Sequence, residues 1–231
     1  MTTRTLRPIP LGLTALIALF SALVALAVSN GHDADAHGSP AHAASLSGTT
    51  VTAKELAFHD GMRALWEDHV TWTRLAVISL VAGSPDADAT VARLLRNQAD
   101  IGNAVKPFYG KAAGDALTGL LRAHILVAAD LVAAAKSGDR KKLADDQARW
   151  GRNADDIATF LNKANPRFWK RAELRAMLGE HLRLTTAEVV ARLNRNWAAD
   201  VAAYGRVHRH ALGMADALST GIVEQFPSRF R

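Results

Sequence analysis

Residues 111–139 read KAAGDALTGLLRAHILVAADLVAAAKSGD, and this stretch decides the fold class. Around His124 the positions three, four and seven residues away are Leu120, Leu121, Val127, Ala128 and Leu131, the spacing of one helix face. Alanine, the strongest helix former, fills much of the rest. Ser137-Gly138-Asp139 closes the segment, because serine, glycine and aspartate favour turns and helix ends.

The same grammar repeats on either side. Lys54–Val81 is a helix-period segment ended by Gly83-Ser84-Pro85, and Asp86–Val105 is the next, with an acidic first turn and a stop at Pro107. After Lys111–Lys136 comes Arg140–Lys163, ended by Asn165-Pro166. Arg171–Arg195 and Asn196–Glu224 complete the set, as two helices or one long bent one, and Pro227 stops the last. No stretch alternates with period two long enough to make a strand. The expectation is an all-α bundle of about six helices over residues 51–231.

Two further regions precede it. Residues 2–10 carry Arg4 and Arg7 and no acid, and Leu11–Val28 is an unbroken run of 18 apolar or small residues. As a helix that run is about 27 Å long, close to the roughly 30 Å hydrocarbon core of a bilayer. Residues 1–28 therefore read as a signal peptide or a membrane anchor, through residues 11–28, with the arginines cytoplasmic and the remainder outside. Residues 29–50 are rich in Ala, Gly, Ser, His and Asp and read as a flexible linker containing His32, His37 and His42.

Composition narrows the chemistry. The 231 residues include 28 Lys and Arg against 22 Asp and Glu, a formal charge of +6, with 49% apolar residues and no cysteine. The missing cysteines exclude a thiol nucleophile, Cys-ligated zinc, an iron–sulfur cluster, covalently attached haem and a lipoprotein anchor. The basic residues are scattered over several helices, which together with an extracytoplasmic location argues against nucleic acid as a partner. G-x-S-x-G, G-x-G-x-x-G, Walker A and H-E-x-x-H motifs are all absent.

What remains is a set of histidines and carboxylates on helical faces. The neighbours of His69 at helical spacing are Leu65, Trp66, Trp72, Thr73 and Ala76, and those of His181 are Met177, Leu178, Leu184, Thr185 and Glu188. With His124 they form three imidazoles expected at or near the packed interior. Asp130 lies in Ile125–Val132 and Asp216 in Met214–Leu218, apolar runs in which a carboxylate is expected to be buried and to need a partner. A core centre of His69, His124 and His181, completed by Asp130, Asp216, Glu67 or Glu180, suits a divalent transition metal. The competing expectation is that these histidines serve packing alone. No Glu-x-x-His occurs, which argues against a ferritin-like di-metal site. Non-covalent haem, with Met177 or Met214 as an axial ligand, is a further cofactor option.

The segments Leu65–Arg74, Ala92–Gln98, Asn153–Ala158 and Met214–Asp216 resemble an uncharacterised bacterial all-helical family whose members often carry the labels glycosyltransferase or acetylglutamate kinase. The resemblance spans roughly residues 58–226. It departs from the pattern at Ala123, where the family has Glu before the histidine. It implies a helical fold and assigns no catalytic residue, and its labels sit poorly with a chain lacking nucleotide motifs.

The functional expectation is an exported or membrane-anchored bundle that binds a metal ion or small ligand through core histidines and carboxylates. The alternatives are a structural or interaction module docking a protein partner at the cell envelope, and a transferase as the family label says.

Overall fold

The computed structural model describes residues 51–231, so the expected signal or anchor segment (1–28) and the expected linker (29–50) lie outside the described residues. Five α-helices follow one another: α1 (Ala53–Ala82), α2 (Ala87–Ser137), α3 (Arg140–Ala164), α4 (Arg171–Leu193) and α5 (Trp197–Gln225), with a short 3-10 turn at Pro227–Arg229. No strand occurs among the described residues. The fold is all-α, as the helical spacing predicts.

Each helix begins and ends for a local reason. Thr52 caps α1 in a capping box, its hydroxyl accepting from the Glu55 amide while Glu55 accepts from the Thr52 amide. The Thr52 hydroxyl also donates to the Phe230 carbonyl at 2.6 Å, tying the start of the bundle to its end. Asp139 caps α3 and Asn196 caps α5 through side-chain oxygens. Asn194 and Arg195 separate α4 from α5, with Arg195 at φ 58°, so two helices stand where one bent helix was the alternative.

The break expected between Val105 and Lys111 is present inside α2, three residues beyond the proline. Pro107 does not stop it: the helix runs on to Tyr109 and reverses at Gly110, whose φ of 83° and ψ of 168° lie in a region essentially reserved for glycine. The proline sits in the last turn before the reversal, where it removes one intrahelical bond, the one its amide would have made to the Asn103 carbonyl. The two halves of α2 then fold back as an antiparallel hairpin. Gly102 and Gly114 face each other across it, and a Cβ on either would lie 2.6 Å from the other's carbonyl oxygen. Counting those halves separately gives six helical segments, each antiparallel to the next, with α5 closing against α1 through pairs such as Arg63–Asp216 and Arg74–Asp200.

By length and composition, α2 is also the one helix among the described residues apolar enough to cross a membrane. Here it is a wall of the bundle, with His124, Ile125, Val127, Leu131 and Val132 turned inward. The main core joins Met62, Trp66 and Val70 of α1 to Ile157 and Leu161 of α3, Leu178 and Leu184 of α4, and Met214 and Ile222 of α5. The described residues form one packed body.

Candidate functional site: a buried imidazole cluster

His69, His124 and His181 come from α1, α2 and α4, and each is only 5% exposed. Their rings converge. The His69 and His181 centroids are 6.1 Å apart, and those of His124 and His181 are 6.0 Å apart. A fourth ring, His210 of α5, stacks on His181 at 6.2 Å. Trp66 lies edge-on to His69 at 5.4 Å and Trp150 lies against His124 at 5.2 Å, closing the cluster with indoles.

Burial disfavours the charged form of His69, His124 and His181. Burial holds the His69 imidazolium pKa down to about 4, with nearby His124 adding to the effect. Burial does the same to His124, also to about 4, against a hydrogen bond to Asn153 that favours the charged form. His181 is held well below the usual range by burial and then by its three imidazole neighbours. Neutral imidazole is the form that ligates a metal or accepts a hydrogen bond.

Amides on neighbouring helices fix two of the rings. Asn153 Nδ2 donates to the Leu120 carbonyl at 3.1 Å, which leaves its Oδ1 to accept from His124 Nδ1–H at 2.7 Å. The lone pair of His124 is therefore on Nε2. Gln98 Nε2 lies 3.2 Å from His69 Nδ1, and its two hydrogens are shared with the Leu94 carbonyl and Asn97 Oδ1. His210 Nε2–H donates to the Met177 carbonyl at 3.0 Å. His181 differs from the others, since its Nδ1 is buried and has no partner.

That nitrogen is not alone. Eight buried side-chain polar atoms lack a partner among the described residues, and six of them border the imidazoles or the cavity beside them: Trp66 Nε1, Thr73 Oγ1, Gln98 Oε1, Trp150 Nε1, His181 Nδ1 and Thr185 Oγ1. Native interiors pair nearly all such atoms, so this concentration marks a place where the protein alone does not satisfy its own groups.

The carboxylates expected at the centre are elsewhere. Asp130 is about half exposed and pairs with Arg149 at 3.4 Å, and Asp216 is equally exposed and pairs with Arg63 at 2.6 Å. Glu67 meets His208 at 2.8 Å, and Glu180 meets Arg183 at 2.6 Å, both on the surface. The expectation of buried Asp130 and Asp216 is thus corrected. In an alanine- and leucine-rich helix apolar residues lie on every side, and Leu126, one turn before Asp130, is itself 48% exposed. Among the described residues no three His, Asp or Glu side chains already stand in coordinating geometry. Met214 is packed in the core, and the cavity beside the imidazoles is about 50 Å³, against the roughly 300 Å³ or more of ordinary cofactor pockets.

Sequence reasoning missed the orienting amides Gln98 and Asn153 and a second polar cluster. Arg74 of α1 donates to Glu188 of α4 at 2.8 Å and pairs bidentately with Asp200 of α5, which also accepts from Arg192 at 3.0 Å. Both carboxylates are 1% exposed. Burial opposes ionisation of Asp200, but hydrogen bonds from Arg74 and Arg192 outweigh it and hold the carboxyl below its usual range. For Glu188 burial prevails over Arg74 and raises it. The available signal was Glu188 itself, seven residues after His181 on the same face.

No family model matches the chain, and comparison with curated proteins and with solved structures likewise finds no significant similarity.

Proposed function

We propose that this bundle is an exported or membrane-anchored binding protein that holds one divalent transition-metal ion between His69, His124 and His181. The observation that carries this is the convergence of three neutral imidazoles from three helices, one of them with a buried nitrogen lacking any partner. Asn153 supports it as well, orienting His124 from behind as second-layer groups do in metal centres.

Metal–nitrogen bonds of about 2 Å in a tetrahedral arrangement bring ring centroids to about 5 Å. The observed 6.0 and 6.1 Å separations therefore have to shorten by roughly 1 Å when the ion enters. No carboxylate takes part, and a fourth position stays open to water or a small ligand. The chemistry available there is ligand binding, with no side chain placed as nucleophile or general acid.

The test is equilibrium dialysis of the full chain, untagged and detergent-solubilised, against Zn²⁺ or Co²⁺. Because a His-containing linker such as the one holding His32, His37 and His42 can also take up metal, the informative comparison is with His181→Leu. One tight equivalent in the native chain that disappears in the variant supports the proposal. Equal binding in both contradicts it.

A second reading, a docking module for an envelope protein, is favoured by one feature. Trp197 and Val201, one turn apart at the start of α5, are 54% and 64% exposed. Replacing both with Ser should then abolish co-purification of a partner from membranes without changing the melting temperature.

A further inference from the structure

The basic residues are scattered along the sequence, but the fold gathers a group of them at one end of the bundle. Thr52 donates to the Phe230 carbonyl at 2.6 Å, and Lys54 Nζ reaches the main-chain oxygen of Arg231 at 2.5 Å. Arg229 donates to the Pro107 carbonyl at 3.1 Å, and Gln225 to the Ala164 carbonyl at 3.2 Å. The start of α1, the reversal at Gly110, the α3–α4 connection and the end of α5 therefore lie together. Beneath them Phe58, Phe108, Phe226 and Phe230 pack ring on ring, with centroids between 5.1 and 5.6 Å apart. This is the end at which the described chain enters, at Val51.

The two ends of the bundle differ in charge. Residues 51–56, 106–115, 163–173 and 224–231 make up the entry end and hold nine Lys and Arg against four Asp and Glu. Residues 80–90, 134–146 and 190–200 make up the far end and hold six against six. Pairing differs as well. At the far end Lys141, Lys142 and Arg192 meet Asp145, Asp146 and Asp200. At the entry end Lys106 and Lys111 share Asp115. Lys163, Arg167, Lys170, Arg171 and Arg229 are all exposed there and make no ion pair among the described residues. Lys170 donates to the Pro166 carbonyl, Arg171 to the Thr159 hydroxyl, and Arg167 lies over the ring of Phe168 at 5.1 Å.

Five cations without counterions on one face suit a polyanionic surface. Their position favours one kind. Val51 follows residues 29–50 and the apolar run Leu11–Val28. A flexible stretch of that length spans about 25 Å on average, so a bundle tethered through residues 11–28 meets the headgroups entry end first. Phe168, half-buried beside Arg167, is an aromatic side chain at the level where such rings enter a membrane interface. We infer that the entry end of the bundle docks on an anionic lipid surface through Lys163, Arg167, Lys170, Arg171 and Arg229. The choice of lipid as the occupant rests on the membrane-anchored form of the functional proposal, and metal binding plays no part in it.

The test uses the full chain with vesicles of phosphatidylcholine alone or with about one-third phosphatidylglycerol. Because the chain has no cysteine, Ser228→Cys beside Arg229 and Ser137→Cys at the far end each accept a single polarity-sensitive dye. The Ser228→Cys dye should shift to the blue only in the anionic vesicles and lose the shift in about 0.5 M salt, while the Ser137→Cys dye should report water throughout. Each basic residue near an anionic surface is worth roughly fivefold in binding. Replacing Lys163, Arg167, Lys170 and Arg171 together with Gln should therefore abolish the shift, at an unchanged melting temperature because all four are exposed. Flotation with the neutral vesicles reports the anchor separately: failure of the anchored reading leaves the chain unbound there, whereas failure of this inference appears in the dye. Equal dye signals in both lipids, equal shifts at both ends, or a shift that survives the fourfold variant overturns the inference. So does a response to soluble polyglutamate without one to anionic vesicles, which would make the partner an acidic polypeptide.

Discussion

Two buried polar clusters share the same helices within two turns of each other, and they are built on opposite plans. Arg74, Glu188, Asp200 and Arg192 satisfy one another: each carboxylate meets a guanidinium, and the arginines lie over Tyr204 and Trp197 at 5.3 and 5.0 Å. Five residues before Arg74 is His69, and seven before Glu188 is His181, in a cluster that leaves several of its atoms unanswered. The first cluster is closed and joins α1, α4 and α5 in a fixed register. The second is open, and open polar groups in a core are destabilising unless something else completes them. On the proposed reading, the difference is that between a structural device and a binding one.

Acid should break the open cluster first, with the largest effect. Folding lowers the pKa of His69 and His124 from 6.5 to about 4, so the stability tied to their neutral forms is complete above about pH 6.5 and is lost as pH falls toward 4. Each accounts for on the order of 3 kcal/mol over that window, and about 2 of those by pH 5. Urea melts at about pH 7, 6 and 5 check this. A flat midpoint across that range would mean the imidazoles are solvated.

Opening the closed cluster comes next. Arg74→Met leaves Glu188 and Asp200 buried without their shared cation and should lower stability by about 3–5 kcal/mol. A loss below about 1 kcal/mol, read from the same melts at neutral pH, would show that the network is not the closed unit described.

The converse substitution in the open cluster should do the reverse. His181→Leu removes a nitrogen that has no partner, so it should leave stability unchanged or raise it by about 1 kcal/mol. A loss of several kcal/mol would place His181 among the structural groups.

Smallest of all is Asp130→Ala. The half-exposed pair with Arg149 should be worth less than about 0.5 kcal/mol, the range of ordinary surface positions.

The contrast between Asp130 and His124, six residues apart on α2, also shows how far the sequence could be read. Helix limits were legible where chemistry punctuates the chain, at Gly83-Ser84-Pro85, Ser137-Gly138-Asp139 and Asn165-Pro166. The break between the two halves of α2 was legible as well, between Pro107 and Lys111, although its pivot is Gly110 and not the proline. Inward placement of His69, His124 and His181 followed from their apolar neighbours at helical spacing, and all three are buried. The same reasoning failed for Asp130 and Asp216 because alanine-rich helices are apolar on all sides and do not announce a face. Gln98 and Asn153, which orient the imidazoles, were illegible for another reason: their partners lie on a different helix, about thirty residues away in each case.

The central claim, that the three imidazoles form one ligand-ready centre, is tested most directly by nitrogen NMR of histidine-labelled full chain at pH 6, before and after one equivalent of Zn²⁺. The expected spectrum shows His69, His124 and His181 neutral beforehand, with His124 protonated on Nδ1. On adding Zn²⁺, one ring nitrogen of each of the three should move together to the shift of a metal-bound imidazole. If those rings are already protonated at pH 6, or if only the linker histidines respond to zinc, the cluster is packing and the account is wrong.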